Sequence, residues 1–214
     1  EKYYNKRIRN RIIKLAEELS GGMEIDYLND DWGPAVEYFQ RLPLDYRIGS
    51  VHLVTEEQTG EMMDMDGKFE DFRENLRLVF HDDLKCLVKA YFKASSRMVE
   101  LGGFDFVAHL DKISMNGSLM DSTLTEQEWY NRLLWDYMSL IAEKGVMVKV
   151  NTKAYTRKGM MFPNEKYFKW LKELNIPVMV NSDAHLPQLI NDNRALAFEW
   201  LREVGIKSTM RLHQ

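Results

Sequence analysis

The sequence contains a single cysteine, Cys86, among its 214 residues. One cysteine cannot form a disulfide within the chain, and proteins without disulfides are typical of reducing compartments. We therefore expect a cytoplasmic protein. The sequence also lacks any apolar run close to the roughly 20 residues that a membrane-spanning helix requires. For that reason we expect no membrane partner.

A basic surplus is also missing. The chain has 29 lysines and arginines against 33 aspartates and glutamates, which gives a net charge of -4. Domains that bind nucleic acid usually carry excess positive charge, so we expect no nucleic-acid partner. The sequence shows no internal repeat and no linker rich in proline, glycine or serine. A chain of this length without a linker is predicted to form one domain, over residues 1–214.

The sequence begins with a predicted helix. Residues 1–19 are charged, and their isoleucines and leucines recur roughly along one helical face. The first residue is Glu1 instead of methionine, and no signal-like apolar stretch follows it. A helix at the start of an alternating α/β chain normally packs behind an earlier strand. We therefore expect N-terminal βα units to be absent from this sequence.

Short apolar runs alternate with segments of helical periodicity along the rest of the chain. The predicted strands are residues 23–28, 47–54, 104–109, 146–151 and 177–181. The predicted helices are residues 84–101, 126–144, 165–174 and 193–204. Strands that alternate with helices favour parallel pairing with right-handed crossovers. The pattern predicts an α/β fold whose strands form an open sheet or most of a barrel.

Side chains that bind metals recur where these strands end. Glu24 and His52 lie on the first two predicted strands, His109 ends the third, and Asp183 and His185 follow the last. In βα barrels the carboxyl ends of the strands converge on one face, and active sites are built there. One carboxylate and two imidazoles with an open position form a common catalytic metal shell. The joint placement therefore predicts a shared metal site.

Each of these residues also has a simpler interpretation. Glu24 taken alone is an ordinary solvated carboxylate, and His52 or His109 taken alone is an ordinary structural histidine. Asp183 could cap the helix that follows it. These interpretations do not explain why the residues recur at strand ends, so the metal site is favoured. Asp26 is expected to support the site from behind the ligands.

Other residues of similar chemistry are not expected to bind metal. His81 is predicted to lie exposed next to a helix, and His213 lies one residue from the end of the chain. The methionines at Met62, Met63 and Met65 lack the repeated spacing of a soft-metal site. They are predicted to lie in a loop that packs on the surface.

A basic loop follows the strand that ends at Asn151. Arg157 suits bidentate phosphate binding, and Lys158 supplies a mobile positive charge on the same predicted face as the metals. The alternative is a solvated basic loop without a ligand. Lys112, shortly after His109, is a weaker candidate for the same role.

The order and spacing of these residues resemble the PHP (polymerase and histidinol phosphatase) family over residues 22–205. Residues 49–52 and the loop from Asn151 to Lys158 look most like segments of the histidinol-phosphate phosphatases. The residues that carry the resemblance to the family are Glu24, His52, His109 and the Asp183-Ala184-His185 motif.

The resemblance implies a distorted (β/α)7 TIM-like barrel with up to three divalent ions. It implies that Glu24 bridges two ions and that His52 and His109 complete the shell of one. Asp183 would bind the second ion and His185 the third. Zinc is the first expectation, with iron or manganese as alternatives, because this mixed nitrogen and oxygen shell suits all three metals.

The implied reaction is hydrolysis of a small phosphate monoester, L-histidinol phosphate, as in histidine biosynthesis. Divalent ions would activate a water, and Arg157 would stabilise the charge on the phosphoryl oxygens. Asp183 could give the leaving group its proton through water. Residues 55–80 hold seven acidic side chains up to Asp71, which could contact the substrate amine. A solvated acidic loop is the favoured interpretation of that segment.

The sequence departs from the family in one large respect. Family members begin with a His-x-His motif, whereas no such motif occurs here and no histidine precedes Glu24. The chain is either a fragment or a degenerate relative, and the intact downstream residues favour a fragment. Three rival functions stay open: another PHP phosphoesterase, a non-catalytic metal-binding module, and a structural barrel with incidental histidines.

Overall fold

A computed structural model describes residues 21–210. The predicted opening helix and His213 lie outside these residues. The strands are β1 (Gly22–Asp26), β2 (Tyr46–Ser50), β3 (Leu53–Thr55), β4 (Met62–Asp64), β5 (Phe106–Val107), β6 (Met147–Asn151) and β7 (Val178–Asn181). Five of them form a sheet in the order β1-β2-β5-β6-β7, and every neighbouring pair is parallel.

The helices connect these strands. They are α1 (Glu37–Gln40), α2 (Phe69–Phe80), α3 (Leu84–Leu101), α4 (Ser114–Met120), α5 (Glu128–Lys144), α6 (Tyr155–Lys158), α7 (Phe168–Glu173) and α8 (Arg194–Glu203). Short 3-10 turns occupy Leu124–Glu126, Glu165–Tyr167 and Pro187–Leu189. None of the helices within residues 21–210 is both long and apolar enough to cross a bilayer.

The prediction of an α/β fold with parallel strands is confirmed. The helix predicted over residues 84–101 has the predicted bounds, because Asp83 caps its first turn by accepting a hydrogen bond from the Cys86 amide and Gly102 follows its end. The sheet has β1 and β7 as its outer strands. A seven-stranded barrel stays a prediction.

The strand predicted over residues 47–54 is wrong in its second half. β2 ends at Ser50, and Leu53–Thr55 forms the separate strand β3, which pairs antiparallel with β4 in a hairpin. The apolar run continues because Val51 and Val54 are both buried, although Val51 lies in the break and Val54 lies in β3. Continuous hydrophobicity therefore concealed the break. His52 lies in this break, just beyond the end of β2.

Most acidic side chains of residues 55–80 are exposed, as predicted, but the segment is not a loop. It contains β4 and the helix α2, which buries Phe72, Leu76 and Phe80 on one face while its charged side chains face outward. The prediction of a surface loop for the methionines is also wrong. Met63 and Met65 are fully buried in the core, and only Met62 is exposed.

Aromatic packing joins the two longest helices. Phe92 of α3 contacts Tyr130 and Tyr137 of α5, with ring centroids 5.6 Å and 6.0 Å apart. All three side chains are buried in the same hydrophobic cluster as Val148 and Val150 of the interior strand β6. The helix pair therefore packs against the sheet, and the Tyr91 hydroxyl of α3 also donates a hydrogen bond to the His109 carbonyl at the edge where the strands end.

The parallel arrangement sets the position of the polar side chains. Asp26 lies opposite Ser50 in the β1–β2 register, and Asn151 lies opposite Asn181 in the β6–β7 register. Because the strands run in one direction, all their carboxyl ends meet at one edge of the sheet. Residues that directly follow a strand, such as His109, reach the same edge.

We expect Gly103→Ala to destabilise the fold more than Gly145→Ala does. Both glycines have positive φ, so either substitution costs about 1–2 kcal/mol in backbone strain. A Cβ at Gly145 would meet open space, whereas one at Gly103 would lie 2.6 Å from the Ala35 Cα. That overlap adds a further 1–3 kcal/mol or so. Urea unfolding of both variants measures the difference, and equal unfolding free energies would contradict the packing shown here.

Candidate metal and phosphate site

Three side chains from neighbouring strands meet at the carboxyl edge. The Glu24 Oε1 lies 3.1 Å from the His109 Nε2 and 3.9 Å from the His52 Nε2. One ligand atom from each residue lies within 4.8 Å of the other two. Strands β1, β2 and β5 are adjacent in the sheet, which explains why residues 85 positions apart come into contact.

Asp26 holds the ring of His52 in place. Its Oδ1 lies 2.6 Å from the His52 Nδ1 and also accepts a hydrogen bond from the Ser50 hydroxyl at 2.6 Å. This leaves the Nε2 of His52 directed toward Glu24. A carboxylate behind an imidazole is the arrangement that orients histidine ligands in metal sites.

Burial controls the charge on His109. The side chain is only 4% exposed, and burial lowers its pKa to about 4 despite the hydrogen bond with Glu24. His109 is therefore neutral near pH 7, which is the form that binds a metal. Burial raises the pKa of Glu24, but the hydrogen bond with His109 and the charge of Lys149 outweigh it and hold that pKa well below its usual range.

Asp66 belongs to this cluster, although the sequence did not single it out. Its Oδ2 lies 3.5 Å from the His52 Nε2, and its Oδ1 lies 2.6 Å from the Lys112 Nζ. It reaches the site because it directly follows the β3–β4 hairpin. Its spacing does not distinguish it from the other acidic residues of that segment. Lys112 is paired with Asp66 and lies over the Phe162 ring, so it is not a free cation.

Lys149 was also missed. It lies in β6, its side chain is 2% exposed, and its Nζ lies 3.2 Å from the Glu24 Oε2. A lysine is almost never buried without a partner. One lysine within the apolar strand Met147–Asn151 is therefore a signal that could have identified it.

Asp183 and His185 lie beside the three-residue cluster rather than within it. Asp183 accepts a hydrogen bond from the Asn151 Nδ2 at 3.0 Å and lies 3.5 Å from the Lys153 Nζ. The His185 Nε2 lies 3.6 Å from Asp183, and its side chain is 73% exposed. The next helical turn begins after Leu186, so the alternative role of Asp183 as a helix cap is wrong.

A cavity of about 510 Å³ adjoins this second group. Arg157 and Lys158 line it from the last turn of α6, and both are exposed. Neither side chain forms an ion pair or a hydrogen bond with the rest of residues 21–210 that would occupy its charge. Apolar side chains cover other parts of the wall. They are Met115, Phe162, Leu186 and Leu189.

No family model matches the sequence, and no curated protein matches it significantly. Solved structures do match the fold. One is a Listeria monocytogenes protein provisionally assigned as a histidinol phosphatase, with 22% identity, a TM-score of 0.71, and coverage of 91% of this chain and 74% of that chain. Another is histidinol phosphate phosphatase from Lactococcus lactis, in complex with zinc, L-histidinol and phosphate. It has 16% identity, a TM-score of 0.62, and coverage of 97% and 75%.

These similarities establish the fold of the chain. The resemblance seen in the sequence is therefore confirmed at that level: the described residues share the fold of structures from the histidinol phosphatase group. The roles of individual side chains depend on the geometry of this chain's own residues.

We expect Asp26→Asn to weaken zinc binding about 10- to 100-fold, because it removes the carboxylate that orients His52. Asp30→Asn is the matched control, since Asp30 pairs with Arg97 and Tyr27 outside the cluster. Competition with a chromophoric chelator measures both affinities. Equal zinc affinity in the two variants would show that His52 is not a ligand oriented by Asp26.

Proposed function

We propose that this protein is a metal-dependent phosphomonoesterase that hydrolyses L-histidinol phosphate to L-histidinol and phosphate. The observation that carries the proposal is the proximity of a Glu-His-His cluster to a cavity with free basic side chains. Glu24, His52 and His109 form the cluster, and Arg157 and Lys158 line the cavity. The fold is shared with a structure that contains zinc, L-histidinol and phosphate.

The donor set fits a divalent ion. One carboxylate oxygen and two imidazole nitrogens converge, one imidazole is neutral, and the other is held by Asp26. Zinc binds this combination in catalytic sites that keep an open position, and iron or manganese would suit the same donors. When bound, such an ion lowers the pKa of a water and provides a nucleophile at neutral pH.

Asp183 and His185 offer donors for further ions. The family resemblance implies up to three in total, provided that Lys149 leaves room beside Glu24. Burial raises the pKa of Asp183, but the charges of Lys149 and Lys153 and the Asn151 hydrogen bond lower it overall. Asp183 is thus ionised at neutral pH. In this form Asp183 can act as a metal ligand. It can protonate a leaving alkoxide only after it has gained a proton from water.

Arg157 and Lys158 are proposed to bind the phosphate. The guanidinium can donate two parallel hydrogen bonds to phosphoryl oxygens, and the ammonium adds a point charge. Leu186 and Leu189, which are exposed on the same wall, provide an apolar surface for the substrate's imidazole. Asp192, which also lines the cavity and accepts a hydrogen bond from Thr156, is the proposed partner of the substrate's amine.

A second candidate is a phosphoesterase for a substrate with more negative charge. Lys153, Arg157 and Lys158 border the cavity together, and two of them have no ion-pair partner within residues 21–210. Three cations would favour a ligand with a second anionic group over an amino alcohol phosphate. Comparison of phosphate release from L-histidinol phosphate and from nucleoside bisphosphates distinguishes the two candidates.

We expect the zinc-loaded protein to release phosphate from L-histidinol phosphate and to lose this activity when a chelator is added. Arg157→Ala should lower kcat/KM by about 10- to 100-fold, because a charge-assisted hydrogen bond contributes about 1.5–3 kcal/mol. Arg132→Ala is the matched control, since Arg132 is exposed and pairs with Glu128 on α5.

Two results would contradict the proposal. One is a zinc-loaded protein that releases no phosphate from this substrate. That outcome moves the assignment to another phosphoester or to a non-catalytic metal-binding module. The other is an equal kcat/KM in the Arg157→Ala and Arg132→Ala variants, which would show that Arg157 takes no part in the reaction.

A further inference from the structure

Lys149 is a charged residue inside an apolar strand. The alternation of β6 places Lys149 and Asn151 on one face, toward the carboxyl-edge site, and Val148 and Val150 on the other, in the hydrophobic core. The two site-facing side chains contact different carboxylates. Asn151 donates to Asp183, and Lys149 donates to Glu24. The strand thus directs a buried ammonium between the two acidic groups of the site.

The two oxygens of Glu24 have different partners. Oε1 faces the imidazoles, at 3.1 Å from the His109 Nε2 and 3.9 Å from the His52 Nε2. Oε2 faces the Lys149 Nζ at 3.2 Å. A carboxylate that bridges two metal ions needs one oxygen on each ion. In this chain the Lys149 ammonium occupies the position next to the Glu24 Oε2.

The surroundings of Asp183 add to this effect. Asp183 is the ligand that a second ion would share with Glu24, and the charges of Lys149 and Lys153 both act on it. A divalent ion placed there would face the Lys153 ammonium, 3.5 Å from Asp183, as well as the charge of Lys149. Burying an ammonium is itself costly unless anions surround it. Glu24 is the anion in direct contact with Lys149, and the charge of Asp183 adds to it, so replacing the Glu24 contact by a metal is opposed by the desolvated lysine.

We infer that Lys149 is a built-in cation that takes the place of the second divalent ion, so that the chain binds a single ion, at Glu24, His52 and His109. The third donor, the His185 Nε2, already lies 3.1 Å from the Lys153 Nζ. Lys149 is a positioning residue in this account: it holds the second oxygen of Glu24 and keeps Oε1 directed toward the imidazoles. The inference rests on the metal site of the proposed function, and it lowers the expected number of ions from up to three to one.

The test is the zinc content of the purified protein after loading and dialysis, measured by elemental analysis. We expect one zinc per chain in the wild type and two in Lys149→Gln, because the neutral side chain frees the second Glu24 oxygen and Asp183. Lys149→Arg keeps the charge and should stay at one. Lys166→Gln is the matched control, since Lys166 pairs with Glu126 away from the site and should leave the count at one.

Two or three zinc ions in the wild type would overturn the inference, and this result does not depend on the folding of any variant. An unchanged count of one in a folded Lys149→Gln protein would overturn it as well. Zinc content is separate from turnover. A wild type with one zinc and no phosphate release contradicts the proposed function alone, whereas three zinc ions with rapid release contradict this inference alone.

Discussion

The site depends on the contacts that the Glu24 carboxylate makes with its neighbours. Through its two oxygens, the first strand of the sheet contacts His109, which follows β5, and Lys149 in β6. Its charge is held in place by these partners even though burial opposes ionisation. The same charge suits a metal ligand, as proposed, and stabilises a buried lysine. Both the metal site and its proposed limit to one ion therefore follow from how this single group is shared.

The parallel sheet makes that sharing possible. Because β1, β2 and β5 are neighbours, the side chains at their carboxyl ends converge without a long connecting loop. The loops after β6 and β7 then build the basic cavity next to them, with Arg157 on a short helix and Asp183 at a position of positive φ. The proposed metal donors lie on a strand or within two residues of a strand's end, whereas longer loops supply the groups proposed to bind substrate, which is the usual division in α/β proteins.

Much of this could be predicted from the sequence, since periodicity marks strands and helices and His52 and His109 stand out at strand ends. Three features could not. Continuous hydrophobicity hid the break before β3. Asp66 reaches the cluster only because a hairpin folds back, and spacing along the chain does not encode that. The lone lysine of the apolar strand β6 marks Lys149 as unusual, but its contact with Glu24, 125 positions away, could not be predicted. The Asp183-Ala184-His185 motif could be recognised in the sequence. The exposure of the His185 side chain could not, because it depends on the conformation of the loop after β7.

Glu24, His52 and His109 are proposed to hold a divalent metal. X-ray absorption at the zinc edge of the loaded protein tests this most directly, because it reports which atoms bind the ion. The account predicts two imidazole nitrogens and carboxylate or water oxygens at about 2.0–2.2 Å, with no sulfur. A spectrum with sulfur at about 2.3 Å, or one without imidazole scattering, would contradict it.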